Sequence, residues 1–177
     1  TLLPDDLLMA LQCRAARSAL GPSSMRGVGS VGVVAAGRPL LCEVGLGRFA
    51  TSSAKRFRAE LDRTTDRLMG AFPRRARHWG LARKGLNIFL RDCLYTIYLR
   101  EAHGLGIAEQ FFEVPLDSLT GRALYKASRG RLPRWRTVRG LNPEVSDQFQ
   151  RVALGLTSDQ GIARVHLDAV WWGQRGA

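Results

Sequence analysis

Apolar positions fall at helical spacing along most of the chain. In "PDDLLMALQCRAARSAL" they recur at Leu7, Leu8, Leu11, Ala15, Ala16 and Leu20, so a helix buries one face, and a proline followed by two acids suits its first turn. "TSSAKRFRAELDRTTDRLMGAF" offers Ser and Thr as caps and aims Phe57, Leu61, Leu68 and Met69 inward, until Pro73 stops the helix. Beyond it, "RRARHWGLARKGLNIFLRDCLYTIYLREAHG" predicts a helix that restarts after a glycine turn at Gly80 and runs to about His103. "FFEVPLDSLTGRALYKA" reads as an extended approach through Pro115 into a helix capped by Asp117. "NPEVSDQFQRVALGL" has Asn142 as cap and Pro143 at its first position, and "GIARVHLDAVWW" is the last helix.

Two stretches break this pattern. Glycines at 21, 27, 29, 32, 37, 45 and 47 mark residues 21–49 as loop, with room for one short hairpin through "VGVVA" and "LLCEV". "LPRWRTVRGL" reads as a basic loop. The sum is a mainly α fold in a single domain over residues 1–177, with a Gly-rich segment at 21–49 and a helix-hairpin-helix element near 56–103.

Charge narrows the partner. Lys and Arg number 27 against 15 acidic residues, a formal charge of +12, which points to a polyanion. The excess is concentrated in two arginine-rich turns. Arg74, Arg75, Arg77, Gly80 and Arg83 surround the entry to the long helix, and Arg134, Arg136 and Arg139 lie in the basic loop, so both are expected to hold nucleic-acid phosphates. Cys13, Cys42 and Cys93 are far apart and lack metal-ligand spacing, so neither a metal site nor a disulfide framework is expected, and no cofactor is implied. With no apolar run of transmembrane length, the reading is a cytoplasmic monomer, associated with the nucleoid if the source is bacterial or archaeal.

The candidate chemistry lies on the long helix. Asn87, Arg91, Tyr95 and Tyr98 fall within about 60 degrees of Lys84 on a wheel, opposite Leu86, Phe89, Leu90, Cys93, Leu94 and Ile97. Lys84 is expected in the first turn, where the dipole and the neighbouring Arg83 disfavour an ammonium and favour a nucleophilic amine. A carboxylate such as Asp117 can take its proton and balance positive charge on a sugar that is losing its base. In "GIARVHLDAVWW", Asp168 and Trp172 are one turn apart on the same face, which suits hydrogen bonding to the edge of a flipped base and stacking on its ring.

"ARKGLNIFLRD", "EVPLDS" and "GIARVHLDAVWW", in this order and spacing, resemble the archaeal-type 8-oxoguanine DNA glycosylases, a branch of the helix-hairpin-helix DNA glycosylase superfamily. The resemblance covers roughly residues 77–172. It implies a two-lobed helical fold with a cleft between lobes, DNA as partner, Lys84 and Asp117 as catalytic residues, and a Schiff base that permits abasic-site lyase activity. It also implies base contacts by Asp168, Trp172 and Arg91, the last standing where the family has a lysine. The N-terminal half offers no tryptophan for the opposite wall of the family's pocket. Retained chemistry in an altered pocket suits 8-oxoguanine or another modified base, including the hypermodified bases of phage DNA. The alternative is a non-catalytic basic nucleic-acid-binding module. A helical ribonuclease is poorly matched by "REAH".

Overall fold

A computed structural model describes residues 4–22, 24–25 and 31–173, so Gly27 and Gly29 of the Gly-rich segment lie outside the described residues. Within these limits the chain is mainly helical and contains no strand. The helices are α1 (Pro4–Ala19), α2 (Val31–Cys42), α3 (Ala54–Ala71), α4 (Trp79–Tyr95), α5 (Ile97–Ala102), α6 (Ser118–Ala127), α7 (Pro143–Thr157) and α8 (Leu167–Gly173). Short 3-10 turns join them. No described helix is long and apolar enough to cross a membrane.

Side-chain caps start three of the helices where the sequence predicts. The Ser53 hydroxyl accepts from Arg56 N at 3.3 Å before α3. Asp117 Oδ1 accepts from Leu119 N at 2.8 Å and Thr120 N at 2.9 Å before α6. Asn142 Oδ1 accepts from Val145 N at 2.9 Å before α7, with Pro143 at the first position. Each cap satisfies backbone N–H groups that the helix leaves unpaired and is worth about 1 kcal/mol.

The glycine-rich segment corrects one expectation: residues 31–42 form α2, not a hairpin. Its glycines serve close packing. A Cβ on Gly37 would overlap Leu20 and come within 3.0 Å of Phe72 Cε1, and one on Gly32 would lie 2.6 Å from Pro73 Cγ. The C-terminus of α2 is closed by Gln12 of α1, whose Nε2 donates to the carbonyls of Leu41, Cys42 and Val44 at 2.9–3.0 Å. A second correction follows beside it. Cys13 and Cys42 form a disulfide between α1 and α2, a pairing hidden by their sequence separation of 29, while Cys93 is a free, buried thiol.

Two hydrophobic cores result. The larger gathers α1 to α5 around Leu20, Phe49, Phe57, Leu68, Phe89 and Leu90. The smaller joins α6 and α7 to the start of α8 through Leu116, Leu124, Leu141, Phe149 and Leu167, with Trp79, Trp135 and Trp171 packed on it. Helix α4 serves both: Leu86, Phe89, Leu90, Cys93 and Leu94 enter the first, and Trp79 lies against the second.

Helix α4 also departs from its predicted form at both ends. Gly80 is its second residue, not a turn, and is buried where a Cβ would overlap the Val138 carbonyl and lie 2.6 Å from Leu141 Cβ. At the other end the helix stops at Tyr95, because Thr96 is extended and its hydroxyl donates to the Asp92 carbonyl at 2.8 Å. Ile97 and Tyr98 therefore leave the predicted faces, and both side chains are exposed.

Candidate active site

A cleft of about 410 Å³ is lined by residues of α1, α4 and α8 and of the approach to α6. Its floor is one face of α4, where Lys84, Ile88, Arg91, Asp92 and Tyr95 recur at three- and four-residue steps. Pro115 and Asp117, at the entry to α6, and Asp168, Ala169 and Trp172 of α8 form one wall. Ser18 of α1 and Ser24 of the following turn close the other. The cleft thus brings together Lys84, Asp117, Arg91, Asp168 and Trp172, all five residues singled out in the sequence for chemistry or base contact.

Lys84 occupies the second turn of α4, so the free N–H groups and dipole of the helix terminus are not what act on it. Burial is. It lowers the basicity of the Lys84 amine below the ordinary lysine value, while Asp117 and Asp168 pull in the opposite direction. The Nζ donates to the Ser24 carbonyl at 2.6 Å, which holds the amine toward the α1 side. Asp117 uses Oδ1 for both backbone amides of its cap, and this fixes the carboxylate at the rim while Oδ2 takes no part in the cap.

Asp168 explains why the last helix carries an acid in its apolar stripe. Its side chain is 4% exposed and pairs with Arg91 Nη1. Thr120 donates to its other oxygen at 3.4 Å. Burial pushes the Asp168 carboxyl above the ordinary carboxylic value; Arg91 opposes the shift and Asp117 adds to it. Arg91 in turn places Nε and Nη2 on Asp92 Oδ1 at 3.0 and 2.7 Å, so its guanidinium ties α4 to α8 and frames the cleft. The two terminal tryptophans separate in role: Trp171 packs on the smaller core, and Trp172, 47% exposed, lines the cleft.

The polar face drawn from the sequence is otherwise rotated. Asn87 is buried outside the cleft and donates to Glu113 Oε2 at 3.0 Å, and Asp92 stands on the cleft face in its place. Tyr95 lines the cleft and contacts His166 and, through it, Glu109. Sequence reasoning gave no role to these two or to Ser18, Ser24 and Ile88.

The expected phosphate residues divide. Arg74, Arg75, Arg77, Arg134, Arg136 and Arg139 are all exposed. The first three lie in the turn that leads into α4, and the loop carrying the others packs through Val138 and Leu141 against Gly80, so both stretches converge on the same end of that helix. Arg83 and Gly80 are corrected. Arg83 is 1% exposed, donates to Thr65 Oγ1 at 2.8 Å, pairs with Asp62, and sets Nε 3.3 Å from Glu113 Oε2. Its guanidinium also lies 4.8 Å from the centre of the Trp79 ring. It joins α3 to α4 and faces no ligand surface, because position 83 falls on the buried stripe with Leu86 and Leu90. Comparison of the chain with family models, curated proteins and solved structures gives no match.

Proposed function

We propose that the protein is a DNA glycosylase that draws a modified nucleotide out of DNA and breaks its N-glycosidic bond, with Lys84 as nucleophile. The observation that carries this reading is a mostly buried amine of lowered basicity, in a cleft that also holds three carboxylates and a tryptophan face. A neutral amine is the form that attacks carbon. Lys84 adds to the sugar C1′, the bond to the base breaks, and the base leaves with the electron pair and takes up a proton. Asp117 accepts the proton released from the amine and stabilises positive charge on the sugar. Opening of the sugar ring gives an imine, from which elimination of the 3′ phosphate provides the lyase step. We read the two cores as two lobes of a helix-hairpin-helix glycosylase fold, with DNA held by the six exposed arginines and the protein acting as a monomer.

The base is a modified one, and 8-oxoguanine is only one member of the set: Arg91 stands where the family has a lysine and already pairs with Asp92 and Asp168, so it offers a base a fixed planar fork in place of a mobile ammonium. A hypermodified base of phage DNA fits the same reading. The second reading, a non-catalytic basic module, is favoured by one contact, the Lys84 to Ser24 hydrogen bond, which a purely structural lysine would also make.

Borohydride trapping decides between them. Duplexes carrying 8-oxoguanine, uracil, alkylated purines or glucosylated hydroxymethylcytosine are expected to yield a covalent adduct with at least one base, and Lys84→Gln is expected to yield none. DNA binding without base release or adduct on any duplex would establish the non-catalytic module.

A further inference from the structure

At the far end of the cleft from Lys84, four side chains from four elements form a chain of hydrogen bonds. Tyr95 Oη lies 2.9 Å from His166 Nδ1, and the two rings stack at 5.6 Å between centroids with 9° between planes. His166 Nε2 lies 2.8 Å from Glu109 Oε1, and Arg100 Nη2 donates to Glu109 Oε2 at 2.6 Å. The direction of these bonds follows from the last of them. Arg100 holds Glu109 as an acceptor-only carboxylate. Glu109 calls for an imidazole proton on Nε2, and the tautomer that carries its proton there offers Nδ1 as an acceptor. In that tautomer Tyr95 donates its hydroxyl proton to Nδ1, and its oxygen keeps its lone pairs.

We infer that Tyr95, with its hydroxyl oriented by His166 and Glu109, is a specificity-determining residue that accepts a hydrogen bond from an amino group on the outer edge of the bound base. Tyr95 lines the cleft and stands eleven residues beyond Lys84 on the same helix, roughly 16 Å along its axis. Within the cleft it therefore stands on the side remote from the amine that would meet the sugar. Its rivals for that edge are occupied: Asp168 is engaged by Arg91 and Thr120, and Arg91 by Asp92 and Asp168. An acceptor at this position favours a ring bearing an exocyclic NH₂ over the same ring bearing a carbonyl oxygen, because the carbonyl would meet the phenolic lone pairs with no proton between them. The assignment rests on the proposed base-binding role of the cleft. Glu109 and His166 act as positioning residues.

The test uses the full chain and duplexes that carry cytosine or uracil, and adenine or hypoxanthine, opposite an abasic analogue, so that loss of base pairing contributes equally to each pair. Competition binding is expected to favour the amino member of each pair by about tenfold, the worth of one well-made hydrogen bond. Tyr95→Phe should erase that ratio, and Glu109→Gln, whose amide can donate to Nε2 and drive the proton to Nδ1, should erase or invert it. In ¹⁵N spectra of the free protein, His166 is expected to carry its proton on Nε2. A proton on Nδ1, an absent wild-type preference, or a preference that survives Tyr95→Phe would each overturn the assignment. The glycosylase reading fails independently: a chain that shows the amino preference but neither base release nor adduct refutes it and leaves Tyr95 as a base reader.

Discussion

Arg91 of α4 and Asp168 of α8 stand 77 residues apart in the chain and form an ion pair inside the cleft. The pair is unequal. Asp168 is almost fully buried, whereas Arg91 also holds Asp92 at the cleft surface.

Removing one partner should therefore cost more than removing the other. Arg91→Met strands a buried carboxylate and is expected to lower stability by about 3 kcal/mol, read by urea unfolding at pH 7. Asp168→Asn leaves Arg91 paired with Asp92 and should be much milder. The two also differ in pH dependence. A carboxyl held above its ordinary value of 3.8 in the fold binds its proton more tightly than the unfolded chain does. Its contribution to stability is complete below that value and is lost as pH climbs through the folded one. Asp168→Asn should flatten this part of the profile; an unchanged slope would mean that Asp168 titrates normally.

Lys84 shifts stability in the opposite sense. Its amine is less basic in the fold than the ordinary 10.5, so the charged form is a penalty that is complete below the folded value and vanishes above 10.5. Lys84→Met is expected to raise the midpoint of thermal unfolding at pH 7, with the gain fading toward pH 10.5, while abolishing the borohydride adduct. In the wild type, the rate of adduct formation should rise with pH to a midpoint below 10.5. A destabilised Lys84→Met at neutral pH would mark the lysine as a structural contact.

The exposed arginines make binding depend on salt. Neutralising about five phosphates gives a slope of roughly −4 to −5 for the logarithm of affinity against the logarithm of salt. Exchanging Arg74 and Arg75 for glutamine should reduce its magnitude by about 2. Arg83 belongs to a different class. Arg83→Met strands Glu113, whose side chain is 2% exposed, and is expected to destabilise the fold by about 3 to 5 kcal/mol. A folded Arg83→Met with a shallower salt slope would return Arg83 to the DNA surface.

Adjacent tryptophans should separate folding from binding. Trp171→Ala opens the smaller core and is expected to reduce stability by about 2 kcal/mol, seen in thermal unfolding. Trp172→Ala should leave unfolding nearly unchanged and weaken binding of a duplex with a flipped base by about 1 to 3 kcal/mol. Equal effects of the two on folding would remove Trp172 from the base-stacking role.

What could be read in the sequence follows from how local each signal is. Ser53, Asp117 and Asn142 cap their own helices, so their boundaries are legible from a few neighbouring residues. Lys84, Asp168 and Trp172 carry side chains whose chemistry announces itself, and their motifs placed them on one cleft. Helix α2 was hidden because Gly32 and Gly37 resemble turn residues until Pro73, Leu20 and Phe72 are set against them. The break at Thr96 rests on a threonine hydroxyl taking a backbone carbonyl, an alternative open to any threonine in a helix. Arg83 was misplaced because charge suggested a surface, whereas its position relative to Leu86 and Leu90 lay on the buried stripe. The Tyr95, His166 and Glu109 chain needs three elements to meet, and no spacing in the sequence encodes that.

The Cys13–Cys42 bond makes a closed ring of the segment that contains Ser18 and Ser24, the residues facing Lys84 from the α1 side. A ring has fewer open conformations to escape into than a linear segment has. In the oxidised chain the bond ties α1 to α2, so separation of the two helices at this point is opposed by a covalent link as well as by packing. One wall of the cleft, which supplies the Ser24 carbonyl to Lys84, is thus built on a segment whose two ends are joined.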